Sequence, residues 1–221
     1  MTQVQPSASS QAKVSSSATE PKSSQSWLRI GLIAVVAATV LGFVLWYWMP
    51  REMHGVVLQS PQRAANFALM TSTGETMELA DFRDQYVMLY FGYTFCPDVC
   101  PTTLNDLQTM AEELGDRKMR KVQVILVSVD PERDTPEQLA SYLSYFNPSF
   151  LGMTGSLEDI RAVASQFGIF FERSEGNTAA GYLVDHTSAI TVIDPDGYVR
   201  MVFPYGVSGE DMAADMTYLL R

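Results

Sequence analysis

Apolar and polar positions divide the chain into three regimes. From Ile30 to Met49 the run IGLIAVVAATVLGFVLWYWM contains no charged residue. At about 1.5 Å per helical residue it would span roughly 30 Å, the thickness of a hydrocarbon core. Before it, residues 1–26 are rich in Ser, Gln, Thr and Ala and read as a disordered tail. After it, short apolar runs alternate with segments whose apolar positions recur every three or four residues. These are the marks of strands and helices in turn.

In that third regime NFALM and TMELADF flank Thr71-Ser72-Thr73-Gly74 and predict a hairpin. YVMLYFGY (86–93) and VQVILVSVD (122–130) are apolar throughout, as expected of central strands buried on both faces. Between them Leu104, Leu107, Met110, Ala111 and Leu114 fall at helical spacing, which predicts a helix from Pro101 to Leu114 with Gly115 as its stop. Pro136, at a first helical position after Thr135, opens a helix to about Phe146. FLGMTG suggests a short strand, and Ser156 caps a helix to Phe167. SAITVID and YVRMVFPYG flank Pro195-Asp196-Gly197, a hairpin signal, and Ser208 caps a last helix from Glu210 to Leu220. Strands alternating with helices, closed by an antiparallel pair, predict an α/β fold with a mixed sheet and flanking helices: the thioredoxin-like arrangement. No repeat and no second domain are evident.

The apolar run is too long, and too bulky and aromatic at its end, for a cleaved signal peptide. Trp27 at one end, and Trp46, Tyr47 and Trp48 at the other, suit the two headgroup interfaces of a single-pass transmembrane anchor. Lys13, Lys22 and Arg29 precede it against Glu20 alone, which favours the tail inside and the domain outside. The expected layout is a tail (1–29, cytoplasmic or matrix-facing), an anchor (30–49), a linker (50–63) and a thioredoxin-like domain (64–221). The domain would face the periplasm from a bacterial inner membrane, or the intermembrane space if the protein is mitochondrial.

Charge narrows the partners. The 221-residue chain carries a formal net charge of −10, and from Pro50 onward 12 Lys and Arg face 24 Asp and Glu. Phosphate binding needs a basic surface, so nucleic acid is excluded as a partner.

The only two cysteines, Cys96 and Cys100, stand in GYTFCPDVCPTTL. Two cysteines cannot build a disulfide framework. They can form one local bridge, act as a redox pair, or bind a metal with a ligand from elsewhere. Cys100 precedes Pro101, which disfavours helical dihedrals, so the helix is expected to begin near Pro101 with Cys100 about at its cap and Cys96 in the loop. N–H groups at a helix terminus stabilise a thiolate, which favours either chemistry. Of the two histidines, His54 falls in the linker and reads as an exposed bystander. His186 stands in YLVDHTSAITVID, just before a predicted strand, where thioredoxin-like redox proteins usually carry a cis-proline facing the cysteines. Asp130, Arg133 and Asp134 in DPERDTP read first as loop structure.

YFGYTFCPDVCPTTL, VSVDPERDTPEQL and VDHTSAITVIDPDGYVR together resemble the signature segments of the Sco/SenC family, over roughly Phe67 to Leu220. Members are membrane-anchored copper proteins that assist cytochrome c oxidase assembly. The resemblance implies that Cys96, Cys100 and His186 bind one copper ion, as Cu(I) or Cu(II). It further implies delivery of copper to the CuA centre of cytochrome c oxidase subunit II, with another copper chaperone or a thiol reductase as further partners. One departure is Phe95, where many relatives carry a polar residue or histidine. The alternative function is a thiol-disulfide oxidoreductase that keeps the oxidase cysteines reduced, with Cys96 and Cys100 as a redox-active disulfide. A peroxidase would need Thr and Arg around an activated cysteine, and spacing does not place Thr102, Thr103 or Arg133 on Cys96.

Overall fold

A computed structural model describes residues 24–48, 53–178 and 181–221. The chain divides into two compact units, Met1–Arg51 and Glu52–Arg221. In the first, α1 runs as one helix of 25 residues, Ser24–Trp48. Residues 1–23 of the expected tail lie outside the described residues. Among the described residues no helix is long and apolar enough to cross a membrane.

The second unit is built on an eight-stranded mixed sheet. Its strands are β1 (Val56–Val57), β2 (Ala68–Thr71), β3 (Thr76–Glu78), β4 (Tyr86–Gly92), β5 (Val122–Ser128), β6 (Leu151–Thr154), β9 (Ile190–Ile193) and β10 (Val199–Phe203). Their spatial order is β1-β10-β9-β4-β5-β6-β2-β3. β4, β5 and β6 are parallel neighbours, while β9 runs antiparallel to β4. The thioredoxin-like α/β expectation is met here. β4, β5 and β9 form the centre, and Met88 to Phe91 and Ile125 to Val127 are wholly buried. Each such large apolar side chain stabilises the fold by about 1.5–3 kcal/mol relative to exposure.

Helices α2 (Val99–Met119), α3 (Pro136–Ser144), α4 (Leu157–Gln166) and α5 (Gly209–Leu219) cover the sheet. Thr135, Ser156 and Ser208 each accept the backbone N–H three residues on, as N-caps do. Gly115 takes φ 68°, ψ 164°, so the regular part of α2 stops there as its sequence predicts, and one more turn follows. A Cβ at Gly209 would lie 2.4 Å from the Asp106 carbonyl oxygen, which shows how closely α5 begins against α2.

Three expectations need correction. α2 starts at Val99, so Cys100 lies within its first turn and Asp98 is the N-cap. Pro101 tolerates this because the first-turn N–H groups need no intrahelical partner. Second, Phe171–Thr178 (β7) and Gly181–His186 (β8) form a separate antiparallel pair that the polar, Gly-containing sequence does not announce. His186 therefore ends a strand of its own. Third, the described part of the expected linker joins the domain. Val56 and Val57 pair with Val202 and Met201, and Leu58 N donates to Arg200 O at 2.9 Å.

His54 is part of that attachment and no bystander. Its ring nitrogens lie 3.1 Å from Asp215 Oδ1 and 3.2 Å from Asp211 Oδ1. The other oxygen of the buried Asp215 accepts the backbone N–H groups of His54 and Gly55 at 2.8 and 2.9 Å. The hydrogen bond to Asp215 raises the His54 pKa above 6.5, against the opposing effect of burial and with help from the charges of Asp211 and Asp215. A raised folded-state value contributes stability that is complete below the unfolded pKa and is lost as pH rises through the folded one. His54→Gln should therefore lower the melting temperature most at about pH 5.5 and least at about pH 8.5, as followed by thermal unfolding across that range. A pH-independent difference would contradict this.

Candidate metal centre

The site lies at the carboxyl edge of the central strands, where open α/β sheets place their ligands. Cys96 follows β4, and Cys100 lies in the first turn of α2. The antiparallel register sets Ile190 of β9 opposite Tyr90 of β4. The segment entering β9 must therefore start above the end of β4, and His186, four residues upstream, arrives over the cysteine loop. Cys100 Sγ and His186 Nε2 are 3.4 Å apart. The ligand atoms of Cys96, Cys100 and His186 all lie within 4.8 Å of one another. Among the described residues this is the only cluster of three or more such groups able to hold a metal ion.

Each donor is held from behind. Asp98 makes no side-chain cap, and the Cys96 sulfur accepts the Cys100 N–H instead, at 3.4 Å. Cys100 is fully buried and presses on β4: a Cβ at Gly92 would lie 3.0 Å from its sulfur and 2.9 Å from Tyr90 Cε1. His186 packs edge-on to Tyr90 and Tyr93, with ring centroids 6.2 and 5.9 Å away. Its Nδ1 faces the Thr187 carbonyl at 3.3 Å. A carbonyl only accepts, so a proton on Nδ1 points at Thr187, and Nε2 is the ring nitrogen that faces the sulfurs.

The two cysteines titrate as a pair. A hydrogen bond from Cys100 holds the Cys96 thiol well below its usual range, against burial and with help from His186 and nearby backbone N–H groups. The same hydrogen bond and burial push Cys100 up. Both cysteines are free thiols. The geometry fits a soft or borderline ion. Bonds of about 2.0–2.3 Å place two ligands on opposite sides of an ion up to roughly 4.6 Å apart, so little movement closes the set. Two sulfurs and an imidazole suit copper or zinc, and with thiolates dominant they favour Cu(I).

The DPERDTP loop underpins the site. Asp134, wholly buried, accepts Thr94 N, Thr94 Oγ1 and Ser128 Oγ at 3.0, 2.6 and 2.6 Å. It thus ties the residue two before Cys96 to the end of β5. Burial raises its pKa against those three hydrogen bonds. Arg133 pairs with Asp130, and its guanidinium carbon lies 4.8 Å from the Phe95 ring centre. These residues are loop structure, as their sequence suggests, and that structure holds the cysteine loop. Sequence patterns gave no sign of Thr94, whose part depends on a contact between distant elements. Only the small residue at the end of the otherwise bulky strand 86–93 hinted at Gly92.

A thioredoxin-like sheet with two thiols and an imidazole gathered at its carboxyl edge defines the class of the protein. The SCO1/SenC family model matches residues 57–221, and the chain belongs to that family. The mitochondrial SCO2 homolog of Bos taurus is 39% identical over 148 residues, covering 66% of this chain and 56% of the relative. This chain therefore spans little more than half the length of that relative. Apo Sco1 from Thermus thermophilus matches with a TM-score of 0.69 at 39% identity, over 77% of this chain and 99% of that one. ScoI from Bradyrhizobium japonicum, solved with copper bound, matches at 0.64 and 32%, over 71% of this chain and 99% of that one.

Filling the space beside Cys100 tests the packing. Gly92→Ala should cost about 1–3 kcal/mol by overpacking and drive the Cys100 sulfur outward. Urea unfolding measures the first effect. Faster alkylation of Cys100 in a Cys96→Ser background measures the second, and unchanged values for both would contradict the close contact.

Proposed function

We propose that the protein binds one copper ion through Cys96, Cys100 and His186 and delivers it to the CuA site of cytochrome c oxidase subunit II. The convergence of two sulfurs and one imidazole nitrogen within 4.8 Å carries this reading. Its support is the copper-bound relative at 32% identity and the chemistry of the donors. Two thiolates suffice for Cu(I), and the imidazole adds the harder donor that Cu(II) requires. Cys96 is partly exposed and Cys100 buried, so a partner thiol can displace Cys96 first while Cys100 and His186 still hold the ion. Loading needs both thiols reduced, and a Cys96–Cys100 disulfide is inactive in binding.

The depressed Cys96 pKa favours a second activity at the same atoms. As a thiol-disulfide reductase, the Cys96 thiolate attacks an oxidised oxidase cysteine pair and releases one partner thiolate. The Cys100 sulfur then breaks the mixed disulfide, leaving a Cys96–Cys100 disulfide and two partner thiols, with the Cys100 proton passing to a leaving sulfur. That activity needs no histidine.

In the same proposal residues 30–49 anchor the chain in a bacterial inner membrane, with the domain in the periplasm; the mitochondrial counterpart would place it in the intermembrane space. The support is the uncharged run and its aromatic flanks. Under this layout the residues before 30 form the inner tail, and 64–221 form the copper-binding domain.

Anaerobic titration of the reduced protein with Cu(I) and with Cu(II) tests the function. The expected result is one ion per chain. Cys96→Ser should abolish tight binding of both ions, and His186→Ala should lose Cu(II) while keeping disulfide exchange. Absence of stoichiometric copper binding would refute the chaperone reading, and tight Cu(II) binding by His186→Ala would refute the three-ligand site.

A further inference from the structure

His186 is carried on an arm. β7 and β8 pair only with each other, and no strand of the eight-stranded sheet joins them. The position of the imidazole depends on what fastens this arm to the body: Phe171 and Val184 are buried in the core, and the chief polar fastening is Tyr182 of β8. Its hydroxyl donates to Asp130 Oδ1 at 2.6 Å, beyond the end of β5. Its ring lies 3.9 Å from the guanidinium carbon of Arg133 and 3.4 Å from that of Arg173. Two planar cations cannot share one face at those distances, so the ring is sandwiched between them. Arg173 in turn reaches Glu132 at 3.2 Å. A second attachment, from Val184 N to Tyr93 Oη at 3.2 Å, lies nearer the site.

The same short loop therefore holds both halves of the metal centre. Asp134 grips Thr94 beside Cys96, and Asp130 with Arg133 grips Tyr182 on the histidine arm. Releasing Tyr182 leaves the two sulfurs on β4 and α2 in place and frees only the imidazole.

We infer that Tyr182 is the positioning residue that holds His186 against Cys100, and that it thereby sets which oxidation state of copper the site retains. The inference rests on the copper reading above. With the latch intact the site offers two thiolates and an imidazole. With it broken the site becomes a two-thiolate site suited to Cu(I) alone. Tyr182 touches none of the donors and acts entirely through the arm.

The test compares the full-length reduced protein with Tyr182→Ala and with Tyr182→Phe, which keeps the stacked ring and loses only the hydroxyl. Cu(I) affinity is measured by competition with a chromophoric chelator, and Cu(II) binding by its thiolate charge-transfer absorption. Tyr182→Ala should weaken Cu(II) binding by about 10–100-fold, the range typical when support of a ligand is lost. Cu(I) affinity should stay within about threefold, and Tyr182→Phe should show a smaller loss in the same direction. Equal losses for both ions would make Tyr182 a general fold contact and overturn the inference, as would unchanged Cu(II) binding. Hydrogen exchange of the Val184 to Thr187 amides in the metal-free proteins separates this from the copper reading. If the wild type binds no copper, that reading fails by itself. Faster exchange in Tyr182→Ala would then still support the latch, and unchanged exchange would overturn it.

Discussion

The antiparallel pairing of β9 with β4 is the constraint on which the site depends. With Ile190 opposite Tyr90, the chain entering β9 must cross the carboxyl end of β4, where Cys96 and Cys100 stand. All four residues of β9 are buried, so a one-residue slip would exchange its two packed faces and misfit both, and the register is firmly held. Hydrophobic burial in the sheet thus delivers a polar imidazole to two sulfurs, with no attraction between them required. The Thr187 carbonyl and the flanking Tyr90 and Tyr93 rings then select the orientation of the ring.

Around that constraint the protein arranges a rigid side and an adjustable side. The cysteines sit on the rigid one, with Cys100 against Gly92 and Cys96 capping the first turn of α2. His186 sits on the adjustable one, at the end of an arm fastened by side chains. The loop from Asp130 to Asp134 joins the two. Its two buried carboxylates are fully engaged, one with Thr94 and Ser128 and the other with Arg133 and Tyr182. Buried carboxylates are costly unless satisfied, so a loop that carries two of them holds its geometry firmly. Under the proposed copper transfer, this division has a use. One ligand can shift without disturbing the core.

Much of this was legible in the residues themselves. The central strands could be read because runs buried on both faces are apolar throughout, and the helices because Thr135, Ser156 and Ser208 announce their caps. Cys96, Cys100 and His186 could be named because no other cysteines exist and the histidine stands where a thioredoxin-like fold faces its redox loop. The arm β7–β8 was hidden because its sequence, FERSEGNT followed by GYLVDH, lacks the apolar alternation that a half-buried strand shows. β1 was hidden because two residues are too few to show any period. α2 starts two residues before Pro101 because the whole first turn of a helix tolerates proline, so the proline does not mark the first helical residue.

The sequence by itself determined which atoms were available: two sulfurs with three residues between them, one suitably placed imidazole, and a polar loop after the second long strand. Tertiary structure alone decided how they meet. It placed Cys100 inside the first turn of α2, tied His54 to α5, and made Tyr182 the link between the histidine arm and the loop that steadies the cysteines. The physical reason is that sequence periodicity reports how each element meets the core. Contacts between polar side chains on different elements leave no period, and they exist only once the sheet has fixed the distances between those elements.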